Sequence, residues 1–276
     1  MSKRLLILFS VIVSISGIRA VEALETPWVA AEQIQAKLLS GVDSIGDQDS
    51  FQGVLQLRLE EGWHTYWRVP GDAGLPPRFD WTESENITNV EILWPAPVRK
   101  KELDFQTFAY AGDTAFPLMI LLKDKGKPAR LALSGNVMVC NEICIPQKLS
   151  LALDIPAGNG TISGDQRLID LAGQKVPVQG DTPGLRIETI VAGPEGLVLN
   201  VFSQKGFENM DVFSYVDDYA FTIPPEISID EKEPRKALIK IPVPDSIENL
   251  SEFLSGKKLT VTLVGSGEAI EKNINF

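Results

Sequence analysis

Apolar and polar positions alternate with a period of two along much of the chain. Leu55, Leu57 and Leu59 alternate with Gln56, Arg58 and Glu60, and Leu131 and Leu133 with Ala132 and Ser134. Leu149, Leu151, Leu153 and Ile155 alternate with Ser150, Ala152 and Asp154. Ile239 and Ile241 flank Lys240, and Leu259, Val261 and Leu263 are separated by two threonines. Successive side chains of a strand point to opposite faces, so each run predicts a half-buried strand. Ile34, Ala36 and Leu38 also alternate, although Ala30–Leu39 fits a short helix equally well. The chain has 18 prolines and 22 glycines, and those between these runs break them as in antiparallel sandwiches. The pattern predicts an all-β protein.

Two stretches depart from it. Lys3 and Arg4 precede an apolar run, Leu5–Ile18, that is short for a membrane span of about 20 residues. Ile18-Arg19-Ala20 and Val21-Glu22-Ala23 both suit a signal peptidase. Residues 1–23 are therefore expected to be a cleaved signal peptide, leaving a protein without stable membrane insertion in the periplasm, where disulfides form. Pro156–Pro183 is rich in turn residues and holds a helical pattern at Asp165–Lys175. This places a first domain at 26–156, a linker with a short helix at 157–183 and a second, smaller β-sandwich domain at 184–276.

Net charge narrows the function. With Lys+Arg at 26 and Asp+Glu at 37, the chain carries −11. That balance opposes nucleic-acid binding and docking on anionic lipid, both of which need clustered cations. One histidine and two cysteines cannot supply a Cys₂His₂ or Cys₄ zinc site. A Ser-His-Asp triad could only be built on His64, and nothing else in the sequence suggests one. His64 sits in an aromatic run with Trp63, Tyr66 and Trp67, which reads as core and cavity lining.

The site-like cluster is Cys140-Asn141-Glu142-Ile143-Cys144-Ile145-Pro146, between two predicted strands. Pro146 holds Ile145 extended, so the second cysteine enters the next strand. A bridge closing so short a loop contributes roughly 2 kcal/mol, less than one joining distant strands. Redox use and a structural staple both fit, and Met138 with the two cysteines would be a thin ligand set for monovalent copper. Glu142 lies between the cysteines with no cation in the motif, which disfavours a thiolate. The expected chemistry is that of a passive disulfide attacked by a partner's thiolate.

Around these cysteines the chain resembles the N-terminal periplasmic domain of the DsbD thiol:disulfide interchange family, in particular its copper-tolerance, ScsB-like branch. The resemblance rests on Gly62-Trp63-His64-Thr65-Tyr66-Trp67-Arg68-Val69-Pro70-Gly71-Asp72-Ala73-Gly74-Leu75-Pro76, on Trp94-Pro95-Ala96-Pro97 with Tyr110-Ala111-Gly112, and on Val139-Cys140 through Cys144-Ile145-Pro146. It implies an immunoglobulin-like sandwich and a redox-active Cys140–Cys144 disulfide. Cys144 would be the interchange sulfur and Cys140 the resolving one. It further implies an aromatic cap, for which Phe108 and Tyr110 match better than Phe105, with Tyr66 and Trp67 lining the cavity. No cofactor or metal is implied. Partners would be exported thioredoxin-like proteins and a separate membrane thiol-electron transporter, because the family's membrane and thioredoxin-like segments are not among these 276 residues. The alternative is a non-catalytic binding module that recruits a thioredoxin-like protein or handles copper and keeps a structural disulfide.

Overall fold

The alternating segments do fold as strands, and their buried positions define two cores. A computed structural model describes residues 24–194 and 196–276, so the expected leader at 1–23 lies outside the described residues. The first sandwich comprises Val29–Ala30 (β1), Ile34–Ser40 (β2), Ser50–Leu59 (β3), His64–Gly71 (β4), Arg78–Asp80 (β5), Ile87–Ile92 (β6), Val98–Glu102 (β7), Phe105–Ala111 (β8), Asp113–Leu122 (β9), Ala129–Cys140 (β10) and Cys144–Ile155 (β11). One sheet has the order β1-β2-β3-β9-β6. The other is β11-β10-β4-β8-β7, with β5 on β10. The ambiguous segment is strand, because Ile34, Ala36 and Leu38 all bury against the facing sheet.

The longest ladder joins β10 to β11, in register from Ala129 opposite Ile155 to Cys140 opposite Cys144. Leu131, Leu133, Val137 and Val139 pack inward from β10, which leaves Cys140 on the other face.

The segment after β11 docks on the first sandwich. Its helix, Gln166–Gly173 (α1), buries Ile169 and Ala172 against Leu39 and Val54. Val178–Gln179 (β12) then pairs in parallel with the last strand of the second sandwich. That sandwich comprises Leu185–Gly193 (β13), Gly196–Ser203 (β14), Asp211–Val216 (β15), Tyr219–Phe221 (β16), Glu226–Ile229 (β17), Lys236–Pro242 (β18), Leu250–Leu254 (α2), Lys258–Gly265 (β19) and Glu268–Asn275 (β20). Its sheets are β12-β20-β19-β15-β16 and β13-β14-β18-β17, closed over Leu199, Ile239, Val261 and Leu263.

The two sandwiches share an aromatic seam. The Trp67 ring lies 6.1 Å from Phe108, 6.1 Å from Phe213 and 5.7 Å from Tyr215, all edge-on. The Arg68 guanidinium sits 4.4 Å from the Trp67 ring centre and pairs with the buried Glu271. Burying large rings together is the dominant favourable term in such a contact.

Candidate functional site: a disulfide at a hairpin end

Cys140 and Cys144 face each other as the last pair of the β10–β11 hairpin, with Cα atoms 4.1 Å apart and the sulfurs bonded. Only three residues, Asn141-Glu142-Ile143, close the turn, and Asn141 N donates to Ile143 O. The two sulfurs differ in access for a topological reason. β11 is the sheet edge, so Cys144 is exposed, whereas β10 is flanked by β11 and β4 and Cys140 is 0% exposed. Ile143 in the turn is 63% exposed, and Glu142 is also exposed.

The strand β4 covers the buried sulfur. His64 pairs directly with Cys140 across the ladder. Two residues on, and so on the same face, Tyr66 Oη donates to Cys140 Sγ at 3.0 Å and lies 3.8 Å from Cys144 Sγ. The Tyr66 hydroxyl is pushed up to about 12, first by burial and then by the Glu102 carboxylate, so it stays protonated as a donor. Gly74 allows the ring to sit there: a Cβ at that position would be 2.3 Å from Tyr66 Cε1 and Cζ, and its φ of +96° suits glycine.

His64 is fully buried between two charges from β7. Lys100 Nζ donates to His64 Nδ1 at 2.6 Å, and His64 Nε2 lies 3.0 Å from Glu102 Oε1. Burial lowers the His64 pKa below 6.5, with the Lys100 charge acting in the same direction and Glu102 opposing both.

Of the residues expected around the pair, Tyr66 alone is placed against the sulfurs. Phe108 and Tyr110 lie on the opposite face of β8, the face that pairs with Thr65 rather than with His64 and Tyr66. Both are core residues: Phe108 meets Phe213 at 5.0 Å, and Tyr110 donates to Pro95 O at 2.7 Å beside Phe116. Trp67 points with them into the seam between sandwiches, because adjacent strand residues alternate. The structure therefore does not place Phe108 and Tyr110 as a cap, nor Trp67 in the cavity.

Lys100 and Glu102 were not singled out by the sequence. Their signal was a run of charges, Arg99-Lys100-Lys101-Glu102, inside a strand, but its destination depends on how the hairpin folds back. Among the described residues no group of three or more His, Cys, Asp or Glu is placed to hold a metal ion. No described helix is long and apolar enough to cross a membrane.

Residues 31–155, which hold this disulfide, match the family described as thiol:disulfide interchange protein DsbD, N-terminal. This stretch is similar to a DsbD N-terminal domain. Residues 175–276 match a domain family of unknown function, DUF8393. Among solved structures, the N-terminal periplasmic domain of ScsB from Proteus mirabilis superimposes with a TM-score of 0.69 at 22% identity. That alignment covers 92% of this chain and 99% of the other. A marsupial T cell receptor aligns over 89% of this chain and 98% of its own at 11% identity, but its TM-score of 0.24 is too low to inform the fold. No curated protein sequence matches the chain. The two-sandwich, immunoglobulin-like architecture is thus shared with the ScsB domain over nearly its whole length.

Two outcomes follow from this site. Replacing Tyr66 with Phe keeps the ring but removes the donor to Cys140. A hydrogen bond to a thiolate is stronger than one to a disulfide sulfur, so Tyr66→Phe should slow reduction by dithiothreitol about fivefold, on the scale of about 1 kcal/mol. An unchanged rate would remove the hydroxyl from the chemistry.

The second outcome concerns pH. His64 has a lower pKa folded than unfolded, so the unfolded chain binds the extra proton. The stability from keeping His64 neutral is fully present above its unfolded value of about 6.5. It is lost as pH falls from there through the folded value. Urea unfolding should show a decline below neutrality that His64→Asn abolishes, and an equal decline in that variant would assign the effect to other groups.

Proposed function

We propose that the chain is an exported thiol–disulfide interchange module that passes electrons between thioredoxin-like proteins through Cys140 and Cys144. The observation that carries this reading is the unequal access of the two sulfurs. A partner thiolate attacks Sγ of the exposed edge-strand residue Cys144, forming an intermolecular disulfide and releasing Cys140 as the leaving thiolate. That thiolate forms where Tyr66 already donates. Reduction is completed when Cys140 takes a proton and a second partner thiol releases Cys144, leaving two thiols here and a disulfide on the partner. The same exchange run backwards passes the electrons onward.

The family assignment of residues 31–155 supports the chemistry. A periplasmic location and a separate membrane protein as electron source belong to the same proposal. Incubation with a reduced thioredoxin-like protein should yield two free thiols, at a reduction potential above about −300 mV. A pair that stays oxidised, with a potential below that value, would instead be a staple.

A further inference from the structure

Among the described residues the strand β7 is an edge strand, paired to β8 alone. Edge strands are among the least constrained parts of a sheet. A two-residue turn follows β7, closing an unbroken ladder with β8 from Val98 opposite Ala109 to Glu102 opposite Phe105. Leu103 adopts a φ of 53°, unfavourable without glycine, and is 88% exposed, while Phe105 is 49% exposed. Side contacts also fix where this edge hairpin sits.

Those contacts come from both faces of β7. Arg99 reaches the second sandwich, where Nε and Nη2 each lie 3.0 Å from the Asp211 carboxylate. Its Nη1 donates to Thr222 O at 2.6 Å and its Nη2 to Val212 O at 2.8 Å. The guanidinium also sits 5.1 Å from the Phe108 ring centre and 5.4 Å from that of Phe213. A planar fork held this way fixes both position and orientation. Lys100 and Glu102 lie on the opposite face and hold His64, the cross-strand neighbour of Cys140.

A second grip lies at the far side of the turn. Asp72 accepts from the Gln106 amide at 2.8 Å and from Thr222 Oγ1 at 2.6 Å. Thr222 thus touches both the residue that holds the start of β8 and the arginine that holds β7.

We propose that the second sandwich is a positioning element of the disulfide site, acting through Arg99 and Asp72 to set how the β7–β8 hairpin presents Lys100 and Glu102 to His64 beside Cys140. This assigns Arg99, Asp211 and Thr222 to the control of the surroundings of Cys140, the leaving sulfur, although none of them touches a sulfur. It rests on the reading of Cys140–Cys144 as an exchanging pair.

The test uses the full chain with Asp211→Asn, which removes the charge that orients Arg99, and with Thr222→Val, which removes only the hydroxyl bond to Asp72. Asp211→Asn should be reduced by dithiothreitol at least about threefold faster, the scale of coupling between contacting networks, because a loosened hairpin admits water to the departing Cys140 thiolate. Amide hydrogen exchange should rise over residues 98–106 and not in β10 or β11. Thr222→Val should give a smaller change of the same sign, and it carries the test alone should Asp211→Asn not fold. Combining Asp211→Asn with His64→Asn should give no more acceleration than the faster single variant, because both release the same hairpin. A folded Asp211→Asn or Thr222→Val protein with unchanged reduction and exchange would overturn the proposal, as would additive effects of Asp211 and His64. Dithiothreitol opens the disulfide without any protein partner. Failure of a thioredoxin-like protein to reduce the wild type would therefore count against the interchange reading and not against this coupling.

Discussion

Cys140→Ala protein should form a stable covalent complex with a thioredoxin-like partner, and Cys144→Ala protein should not. The partner for this experiment lacks its own resolving cysteine and carries its remaining sulfur as a mixed disulfide with thionitrobenzoate. The Cys144 thiolate attacks the partner sulfur, thionitrobenzoate leaves, and no internal thiol remains to undo the new bond. In Cys144→Ala the surviving sulfur is the one with 0% exposure, beneath Tyr66. Exchange there must wait for local opening. An opening cost of about 3 kcal/mol would make it about a hundredfold slower. Release of thionitrobenzoate and a non-reducing gel give the rate and the product. Equal rates from the two variants would remove the assignment of Cys144 as the attacked sulfur.

Trp67→Ala should be the most destabilising single truncation outside the cysteines. The side chain is fully buried and meets rings from both sandwiches: Phe108 from the first, Phe213 and Tyr215 from the second. Removing a buried tryptophan loses its transfer free energy and leaves a cavity, about 3–5 kcal/mol together. Arg68 also loses the ring over which it lies. The expected result is a large drop in the urea midpoint. Phe213→Ala should be milder, and the double variant should cost less than the sum because the two rings share one contact. A loss under about 1 kcal/mol for Trp67→Ala would mean that the seam repacks around the gap.

The division of labour along β4 explains both outcomes. Tyr66 and Trp67 are neighbours in sequence, yet one is against the disulfide and the other is in the seam between sandwiches. In the sequence both are aromatic residues of one motif, and nothing local says which face each takes. Phe108 and Tyr110 show the same limit. The family resemblance implied that they form a cap, but β8 pairs Thr65 with Tyr110 and His64 with Ala111. That register sends both rings into the core. A shift of one residue would reverse every side chain, and register is set by the partner strand and not by the residues themselves.

What the sequence determined by itself follows from local rules. Alternation at Leu55–Leu59 and Leu149–Ile155 makes strands because a period of two can bury only one face of an extended chain. Pro146 and the three-residue spacer put Cys144 at the start of a strand, where the disulfide closes the hairpin. The helical pattern at Asp165–Lys175 became Gln166–Gly173. The tertiary structure alone decided which sulfur is accessible, because that depends on β11 being an edge and β10 not. It alone brought Lys100 and Glu102 to His64, 36 and 38 positions away in the chain, and joined Arg99 to Asp211 across the seam. Charged side chains on a strand have no period that names their partners. Their destination is fixed only when the sheets coil, the hairpin folds back, and burial makes an unpaired charge too costly to leave alone.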